Sequence, residues 1–337
     1  MKTGLYGALI ALAATGYAHA QDAKHSDAAE ESALPPAGSK VNNVEADGGK
    51  EDLARRANFA DAMNDVVERQ KVFSGEPVHF TLNGDFTQGG LVFGQTAIGA
   101  TAKLDGEDVM VDNDGRFLIG FGRDSALTSL LVVTLPDGSV ERRSLDIADR
   151  EFPVQRIDGL DQSKVSGFTK EQLDKIAIDR DKKNAARKET QNLADWSVGF
   201  DWPVTGRISG VFGSQRILNG EPKNPHSGVD VAAPTGTPIR APAPGIVRLA
   251  EGDMYFEGGL VLLDHGHWLE SAFLHMSRVD VVPGQRVEKG DIIGAVGATG
   301  RVTGPHLHWS MKWAGQLVDP QLTVEEMPSQ KAAAAAN

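Results

Sequence analysis

Two short histidine motifs, far apart in the chain, most constrain its fold. Pro225-His226-Ser227-Gly228-Val229-Asp230 places a histidine and an aspartate four residues apart, and Pro305-His306-Leu307-His308-Trp309 places two histidines two residues apart. The 337 residues include only nine histidines and no cysteine. Imidazole and carboxylate groups are zinc ligands. The motifs therefore predict a zinc site, provided that the fold brings them together.

Glycine and proline in and after the first motif argue against a helix there. A spacing of four residues would place His226 and Asp230 on one face of a helix. Gly228 and Pro234 disfavour that conformation. We therefore predict a loop that runs into the strand Val229–Ala232, so that loop geometry brings the first pair of side chains to the metal.

The second motif is typical of a strand. His306 and His308 belong to an alternating run that ends at Trp313, so as residues i and i+2 they point to the same face. Two imidazoles and one carboxylate leave the fourth position of a tetrahedral zinc open to water, as in catalytic sites. Any single histidine is more often an ordinary surface or core residue, by roughly two to one. Four matched positions in two motifs favour the metal site.

From about Trp202 to Pro320 the chain resembles the lysostaphin-like, or LytM-type, family of zinc endopeptidases, which cut peptide cross-links in bacterial cell walls. The resemblance runs in order through seven segments: Gly210–Gly213, His226–Asp230, Ala241–Val247, Leu274–Ser277, Gly284–Gly290, Gly297–Gly300 and Gly304–His308. It implies that His226, Asp230 and His308 bind zinc. It also implies that His275 and His306 are catalytic histidines beside the metal.

We assign residues 201–325 to this peptidase domain. The region alternates β-branched runs with glycine and proline and shows almost no helical periodicity, which predicts a mainly antiparallel β structure. The resemblance implies an open groove over that sheet. Arg216 is a candidate groove residue that could hold a substrate carboxylate or carbonyl, with a surface salt bridge as an equal alternative. His265 and His267 are further groove candidates, although a hydrogen-bonded pair at a strand end is the more common case.

Residues 1–20 are typical of a secretory signal peptide. Lys2 precedes the apolar run Leu5–Ala14, and Ala18-His19-Ala20 offers a cleavage site after Ala20. The run is short for a bilayer, and no cysteine follows that could carry a lipid anchor. We expect an exported protein without an integral membrane segment after cleavage, and with the resemblance this indicates a Gram-negative periplasm.

The acidic balance excludes some partners. A formal net charge of −12 argues against a protein that coats nucleic acid. The absence of cysteine means that packed cores, with a contribution from metal, must stabilise the exported chain. Residues 21–75 are predicted to form an acidic leader followed by a helix over Lys50–Lys71, and 326–337 a flexible tail.

Residues 76–152 are predicted to form an immunoglobulin-like β domain. Turn dipeptides separate short β segments, and no cluster of metal-ligating residues marks the region as catalytic. The predicted strands are Pro77–Leu82, Leu91–Gln95, Thr101–Leu104, Val109–Val111, Phe117–Phe121, Leu130–Leu135 and Val140–Ile147. Its expected role is spacing, wall or partner binding, or covering the site.

Residues 153–200 are predicted to be a linker with a charged helix that extends to about Leu193. Thr169 and Gln172 have the spacing of a capping box. The helix carries basic residues that could attract an anionic polymer, but a solvated face is the commoner explanation.

Together these features predict an exported zinc metallo-endopeptidase that acts on peptidoglycan stem peptides. The expected periplasmic location favours a D-alanyl–diaminopimelate bond as the bond that is cut, with a glycine bridge as the alternative. The alternatives are a LytM-type activator of a cell-wall amidase without activity of its own, and a latent enzyme that needs a regulatory protein partner. Because every candidate residue follows Trp202, we expect a fragment that begins near Phe200 to fold and bind zinc alone.

Overall fold

The computed structural model describes residues 79–158 and 166–327, and there the protein is mainly β. The predicted signal peptide, the leader with its helix over Lys50–Lys71, and residues 328–337 of the predicted tail lie outside the described residues. No helix of the described ranges has the length and apolar character needed to cross a membrane.

Seven strands form an antiparallel two-sheet sandwich at the start of the described chain. They are β1 (Phe80–Gly84), β2 (Leu91–Thr96), β3 (Thr101–Leu104), β4 (Glu107–Val109), β5 (Arg116–Gly120), β6 (Thr128–Thr134) and β7 (Val140–Asp146). One sheet has the order β1-β2-β5 and the other β4-β3-β6-β7. Every second residue of β6 is buried, among them Leu131 and Val133, as expected for a strand with one face on a core. The sandwich confirms the predicted immunoglobulin-like arrangement.

A strand that the sequence did not predict leads out of the sandwich. Strand β8 (Val154–Ile157) pairs in parallel with β10 (Gln215–Leu218), which belongs to the following domain. Gln155 lies opposite Arg216 in this pairing. The strand has only four residues, and the side chain of Val154 is half exposed, so no buried alternating pattern marks it.

The charged linker helix is α1 (Lys170–Ala186). Its capping box is formed as predicted, because Thr169 Oγ1 accepts from the Gln172 amide and Gln172 Oε1 accepts from the Thr169 amide. The helix ends before Leu193, where its predicted limit lay. Beyond it, Thr190 Oγ1 and the backbone amide of Gln191 donate to the Asp264 carboxylate, and these bonds hold the chain in an irregular path.

The remaining strands form the second domain. They are β9 (Arg207–Gly210), β10, β11 (Glu221–Pro222), β12 (Val229–Ala232), β13 (Pro238–Arg240), β14 (Gly245–Met254), β15 (Gly258–Asp264), β16 (Leu269–Met276), β17 (Arg278–Val279), β18 (Arg286–Val287), β19 (Ile292–Ala295), β20 (His306–Trp313) and β21 (Gln316–Val318). Short 3-10 helices span Asp195–Val198 and Pro320–Thr323. The main sheet has the order β18-β14-β15-β16-β20-β12-β9, with β21 beside β20, and a small sheet has the order β13-β19-β17.

The two faces of the main sheet have different surroundings. Residues directly opposite each other in an antiparallel pair point to the same face. Leu274 lies opposite His308, and Ala272 is two residues before Leu274 on β16, so these three share one face. Phe273 and Trp309 point to the other face and are fully buried in the main core.

Helix α1 covers part of the face that carries His308. Ala186 packs on a small apolar cluster formed by Leu249, Met254, Leu260, Leu262, Ala272 and Leu274. Lys183 forms an ion pair with Glu257, and Arg187 Nη2 lies 2.7 Å from Glu270 Oε1. The helix is therefore fixed to the sheet by both apolar and charged contacts.

The sandwich and the second domain share one hydrophobic core. Buried residues of both belong to a single cluster, in which the Phe93 and Trp196 ring centroids lie 5.5 Å apart. Arg150 Nη2 also lies 2.8 Å from Asp319 Oδ2. The two units are therefore packed together as well as joined by the chain.

Candidate metal centre

Neighbouring strands place the three candidate metal ligands together. Asp230 on β12 lies directly opposite His308 on β20, and the loop before β12 brings His226 to the same point. Asp230 Oδ1 lies 2.8 Å from His308 Nδ1 and 3.1 Å from His226 Nε2, and these two nitrogens are 3.0 Å apart. Three donor atoms from buried side chains thus converge on one centre.

The hydrogen bonds of the two imidazoles orient them toward this centre. His226 Nδ1 lies 3.0 Å from the carbonyl oxygen of Val211, an acceptor, so Nδ1 carries the proton and the Nε2 lone pair faces the other donors. His308 Nε2 lies 3.2 Å from Ser227 Oγ, while its Nδ1 faces Asp230. The second contacts of both rings therefore leave one nitrogen of each for a metal.

The protonation states of the group suit a divalent metal. Burial lowers the pKa of His226, which favours the neutral imidazole. Burial raises the pKa of Asp230, but the charges and hydrogen bonds of His226 and His308 more than offset this and hold that pKa well below its usual value. Asp230 Oδ2 is buried and has no hydrogen-bond partner among the described residues. Two imidazoles, of which His226 is favoured in its neutral form, and one ionised carboxylate are a set of ligands that fits zinc.

Two more histidines lie beside the three donors. The ring centroid of His275 is 4.9 Å from that of His306 and 6.4 Å from that of His308. His306 Nε2 is 3.8 Å from Asp230 Oδ1 and makes no hydrogen bond within residues 79–158 and 166–327. All five histidine and aspartate side chains that the resemblance singled out therefore lie in one buried group.

His275 occupies an unusual backbone conformation near the end of β16. Its φ is +65°, in the left-handed region that non-glycine residues rarely adopt. Its amide donates to the Glu257 carbonyl at 2.8 Å, and its Nδ1 lies 2.9 Å from the Thr299 carbonyl oxygen. These contacts hold the strained residue with its ring beside His306. No local sequence pattern could have revealed this strain, because both partners are distant in the chain.

The structure places two of the candidate groove residues, His265 and His267, away from this group. His265 and His267 are buried at the turn between β15 and β16, at the opposite end of β16 from His275. His265 Nε2 lies 2.8 Å from Ser271 Oγ, and His267 Nε2 lies 3.0 Å from Asn192 Oδ1. The groove expectation for these two is wrong, since their rings fill internal sites.

Arg216 is a buried residue that lines a cleft beside His226. Only 2% of it is accessible, and Nη2 lies 3.6 Å from Asp230 Oδ2. Its Nε donates to Gln155 Oε1 at 3.3 Å. The surface salt bridge is therefore wrong, because the partner of this arginine is a buried candidate metal ligand, whereas a role of Arg216 in holding substrate stays a prediction.

A cleft leads from the candidate centre to helix α1. It has a volume of about 150 Å³ and is lined by His226 and Ser227 at one end and by Lys183 and Arg187 of the helix at the other. Its floor is formed by the apolar side chains of β15 and β16, among them Leu274. Sequence reasoning gave no role to Ser227, although it lies within the first motif, and missed Glu257, which lies outside every motif.

Comparison with known proteins identifies relatives of the second domain. The family model described as peptidase family M23 matches residues 224–320. Peptidoglycan DD-endopeptidase ShyA of Vibrio cholerae is 41% identical over 95 residues, which are 28% of this chain and 22% of ShyA. DD-carboxypeptidase/endopeptidase Mpg of Neisseria meningitidis is 39% identical over 117 residues, which are 35% of this chain and 27% of Mpg. The match thus spans about a quarter of the length of these relatives.

A solved structure extends the likeness beyond this domain. It comes from Pseudomonas aeruginosa, is provisionally described as a peptidase M23, and is 30% identical with a TM-score of 0.55. The match covers 71% of this chain and 95% of that chain. It therefore includes residues outside the 224–320 region.

Proposed function

Residues 224–320 belong to peptidase family M23, and from this premise we propose that the protein is a zinc-dependent endopeptidase that hydrolyses peptide cross-links of bacterial peptidoglycan. The single observation that carries the proposal is the convergence of His226 Nε2, Asp230 Oδ1 and His308 Nδ1, with His275 and His306 beside them. A three-ligand set with additional proton-transfer groups is the arrangement of a catalytic zinc site.

The residues divide into metal-holding and proton-transferring groups. His226, Asp230 and His308 would hold zinc, which when bound polarises a carbonyl and acidifies water. His275 and His306 are placed to accept a proton from the attacking water and to return one to the leaving amine. They also supply donors for the negative charge that develops on the carbonyl oxygen.

The proposed substrate is the D-alanyl–diaminopimelate cross-link. ShyA is named a peptidoglycan DD-endopeptidase and Mpg a DD-carboxypeptidase/endopeptidase, which favours this bond over a glycine bridge. Action on peptidoglycan places the mature protein outside the cytoplasm, and export to a Gram-negative periplasm is part of the proposal.

Digestion of purified peptidoglycan tests this proposal. The full chain without residues 1–20, loaded with zinc, should release peptides whose new termini, identified by mass spectrometry, come from broken cross-links. Chelation should abolish release, and added zinc should restore it. Cleavage of the sugar–peptide amide bond, seen only after an amidase is added, would support the amidase-activator alternative instead.

A latent form of the same enzyme is a second candidate, favoured by the position of α1. The helix lies over the face of the sheet that carries His308, with Lys183 bound to Glu257, whose carbonyl accepts from His275. The helix forms one side of the cleft and so limits the space that is open to a peptide substrate. Activity would then depend on displacement of the helix by a partner or by the wall itself.

A further inference from the structure

We propose that Arg216 is a positioning residue that fixes which oxygen of Asp230 faces the metal centre, and that β8 holds Arg216 in place. This inference rests on the proposed role of Asp230 as a ligand. It concerns residues outside the matched family region, since Arg216 precedes residue 224 and Gln155 lies in the connector from the sandwich.

The two carboxylate oxygens of Asp230 have different surroundings. Oδ1 faces the histidines, at 2.8 Å from His308 Nδ1 and 3.1 Å from His226 Nε2. Oδ2 makes no hydrogen bond within the described residues, and Arg216 Nη2 lies 3.6 Å from it. One oxygen is therefore directed to the metal centre and the other to a guanidinium, which keeps the carboxylate from presenting both oxygens to the metal.

Close packing leaves the carboxylate little freedom to turn. A β-carbon added at Gly210 would lie 2.3 Å from Asp230 Oδ2 and 2.9 Å from His226 Cε1. The β9 backbone is therefore packed closely against these two side chains. Asp230 and Arg216 are both buried, so the guanidinium compensates part of the charge of the carboxylate before metal binds. A glycine at 210 and an arginine at 216 together define the orientation of Oδ2.

The connector strand orients Arg216. Residues Gln155 and Arg216 are register partners of the parallel β8–β10 pair, and Gln155 Oε1 accepts from Arg216 Nε at 3.3 Å. This bond turns the guanidinium so that Nη2 faces Asp230 while Nε faces the connector. The sandwich connector is thus linked to a candidate metal ligand through a single side chain.

Zinc affinity, measured by competition with a chromophoric chelator, tests the inference without using activity. Arg216→Met should weaken zinc binding about 10–100-fold, the usual effect of losing a residue that orients a metal ligand. Arg216→Lys keeps the charge and should recover part of the loss. Gln155→Ala removes one hydrogen bond and should weaken binding about fivefold. Arg207→Met, which changes an exposed arginine of β9, is the matched control and should bind as the parent does.

The visible spectrum of the cobalt-substituted protein reports ligand geometry directly. Arg216→Met should shift the cobalt bands, because the carboxylate would change its mode of binding, and Gln155→Ala should shift them in the same direction. Unchanged affinity and spectrum in both variants would overturn the inference. If Arg216→Met does not fold, Gln155→Ala decides alone. Asp230→Asn tests the ligand assignment separately from the role of Arg216. If this variant binds zinc like the parent, the proposed ligand set fails. If it loses zinc while the Arg216 and Gln155 variants bind like the parent, only the role of Arg216 fails.

Discussion

At the scale of single residues, the two groups of histidines should respond differently to substitution. His308→Ala should remove both zinc and peptidase activity, because His308 Nδ1 is one of three converging donors. His275→Asn should keep zinc and lower turnover by about 10²–10⁴, the usual contribution of one positioned proton-transfer group. Asparagine is the suitable replacement, since it tolerates the positive φ at this position. Metal content by mass spectrometry and peptide release are the two measurements.

One outcome of this comparison would contradict the assignment of ligands and proton-transfer groups. If His275→Asn loses zinc as completely as His308→Ala, the division into ligands and proton-transfer groups has to be redrawn. His265→Gln is a control for a buried histidine outside the group and should retain zinc, because its ring contacts Ser271 and the Pro244 carbonyl instead.

The metal-free protein should lose stability as the pH falls below about 6.5, which is the pKa of an exposed histidine. Burial lowers the folded-state pKa of His226 and of His265. Between the lowered pKa and about 6.5 the unfolded chain binds more protons than the folded one, so the free energy of unfolding decreases with decreasing pH. Asp230, whose folded pKa is lowered, adds a further loss only below about 3.9.

Thermal unfolding in the presence of a chelator, from about pH 8 to about pH 5, checks this dependence. The melting temperature of the parent should fall across the interval, and His265→Gln should have a shallower slope because glutamine does not titrate. A melting temperature that stays level down to about pH 5 would show that these buried histidines do not control stability.

The sequence predicted the surroundings of some residues of the site but not of others. The metal group could be predicted because a loop that runs into a strand and a second strand each carry two ligand-type side chains at short spacing, and the two strands are neighbours in the sheet. The surroundings of Arg216 and His265 could not, since both depend on segments distant in the chain. Gln155 reaches Arg216 through the pairing of β8 with β10, and the Pro244 carbonyl reaches His265 only in the folded second domain.

At the scale of secondary-structure elements, displacement of helix α1 should have the largest effect on access to the cleft. Lys183→Met removes the cation bound to the buried Glu257 carboxylate, which favours release of the helix from the sheet. If the helix restricts access to the cleft, this variant should hydrolyse a soluble cross-linked peptide several-fold faster than the parent. Initial rates at saturating zinc measure the effect.

A neighbouring lysine provides the matched control. Lys182 pairs with Glu251 on the exposed side, at 3.0 Å, and such surface pairs contribute about 0–1 kcal/mol. Lys182→Met should therefore leave the rate unchanged. Equal rates in parent, Lys183→Met and Lys182→Met would argue against a latent enzyme and for a cleft that substrate reaches with the helix in place.

Elements with strong local signals were predicted well, and elements stabilised by distant contacts were not. Strand β3 occupies the predicted residues Thr101–Leu104, and the predicted cap of α1 is present at Thr169. The connector strand β8 has no such signal, because its backbone pairs with β10 rather than with a neighbour in sequence. The end of α1 was also missed: Thr190 and Gln191, which lie within the predicted helix, hydrogen-bond to Asp264 of the second domain instead.

At the scale of the whole molecule, the shared core changes the expectation for an isolated peptidase domain. Sequence reasoning placed every chemical role after Trp202 and expected a fragment from Phe200 to be self-sufficient. Trp196, which is fully buried, precedes that boundary and packs on Phe93 of the sandwich. Removing the residues before Phe200 would delete Trp196 and Phe93 and expose the part of the second domain that they cover. It would also delete Gln155, which hydrogen-bonds to Arg216, and Arg150, which forms an ion pair with Asp319.

A fragment of residues 200–337 should therefore be less stable than residues 79–337 and should bind zinc more weakly. Loss of β8 removes the hydrogen bond from Gln155 to Arg216, and loss of Arg150 leaves the buried Asp319 carboxylate without its ion pair. Breaking a buried ion pair by removing one partner costs about 3–5 kcal/mol, and Arg150 is partly exposed, so the lower part of that range applies. Thermal unfolding and chelator competition on both fragments measure the two effects. If the 200–337 fragment melts and binds zinc like the longer one, the sandwich and its connector contribute nothing to the metal centre. The expectation from the sequence, a peptidase domain that folds and binds zinc alone, would then stand.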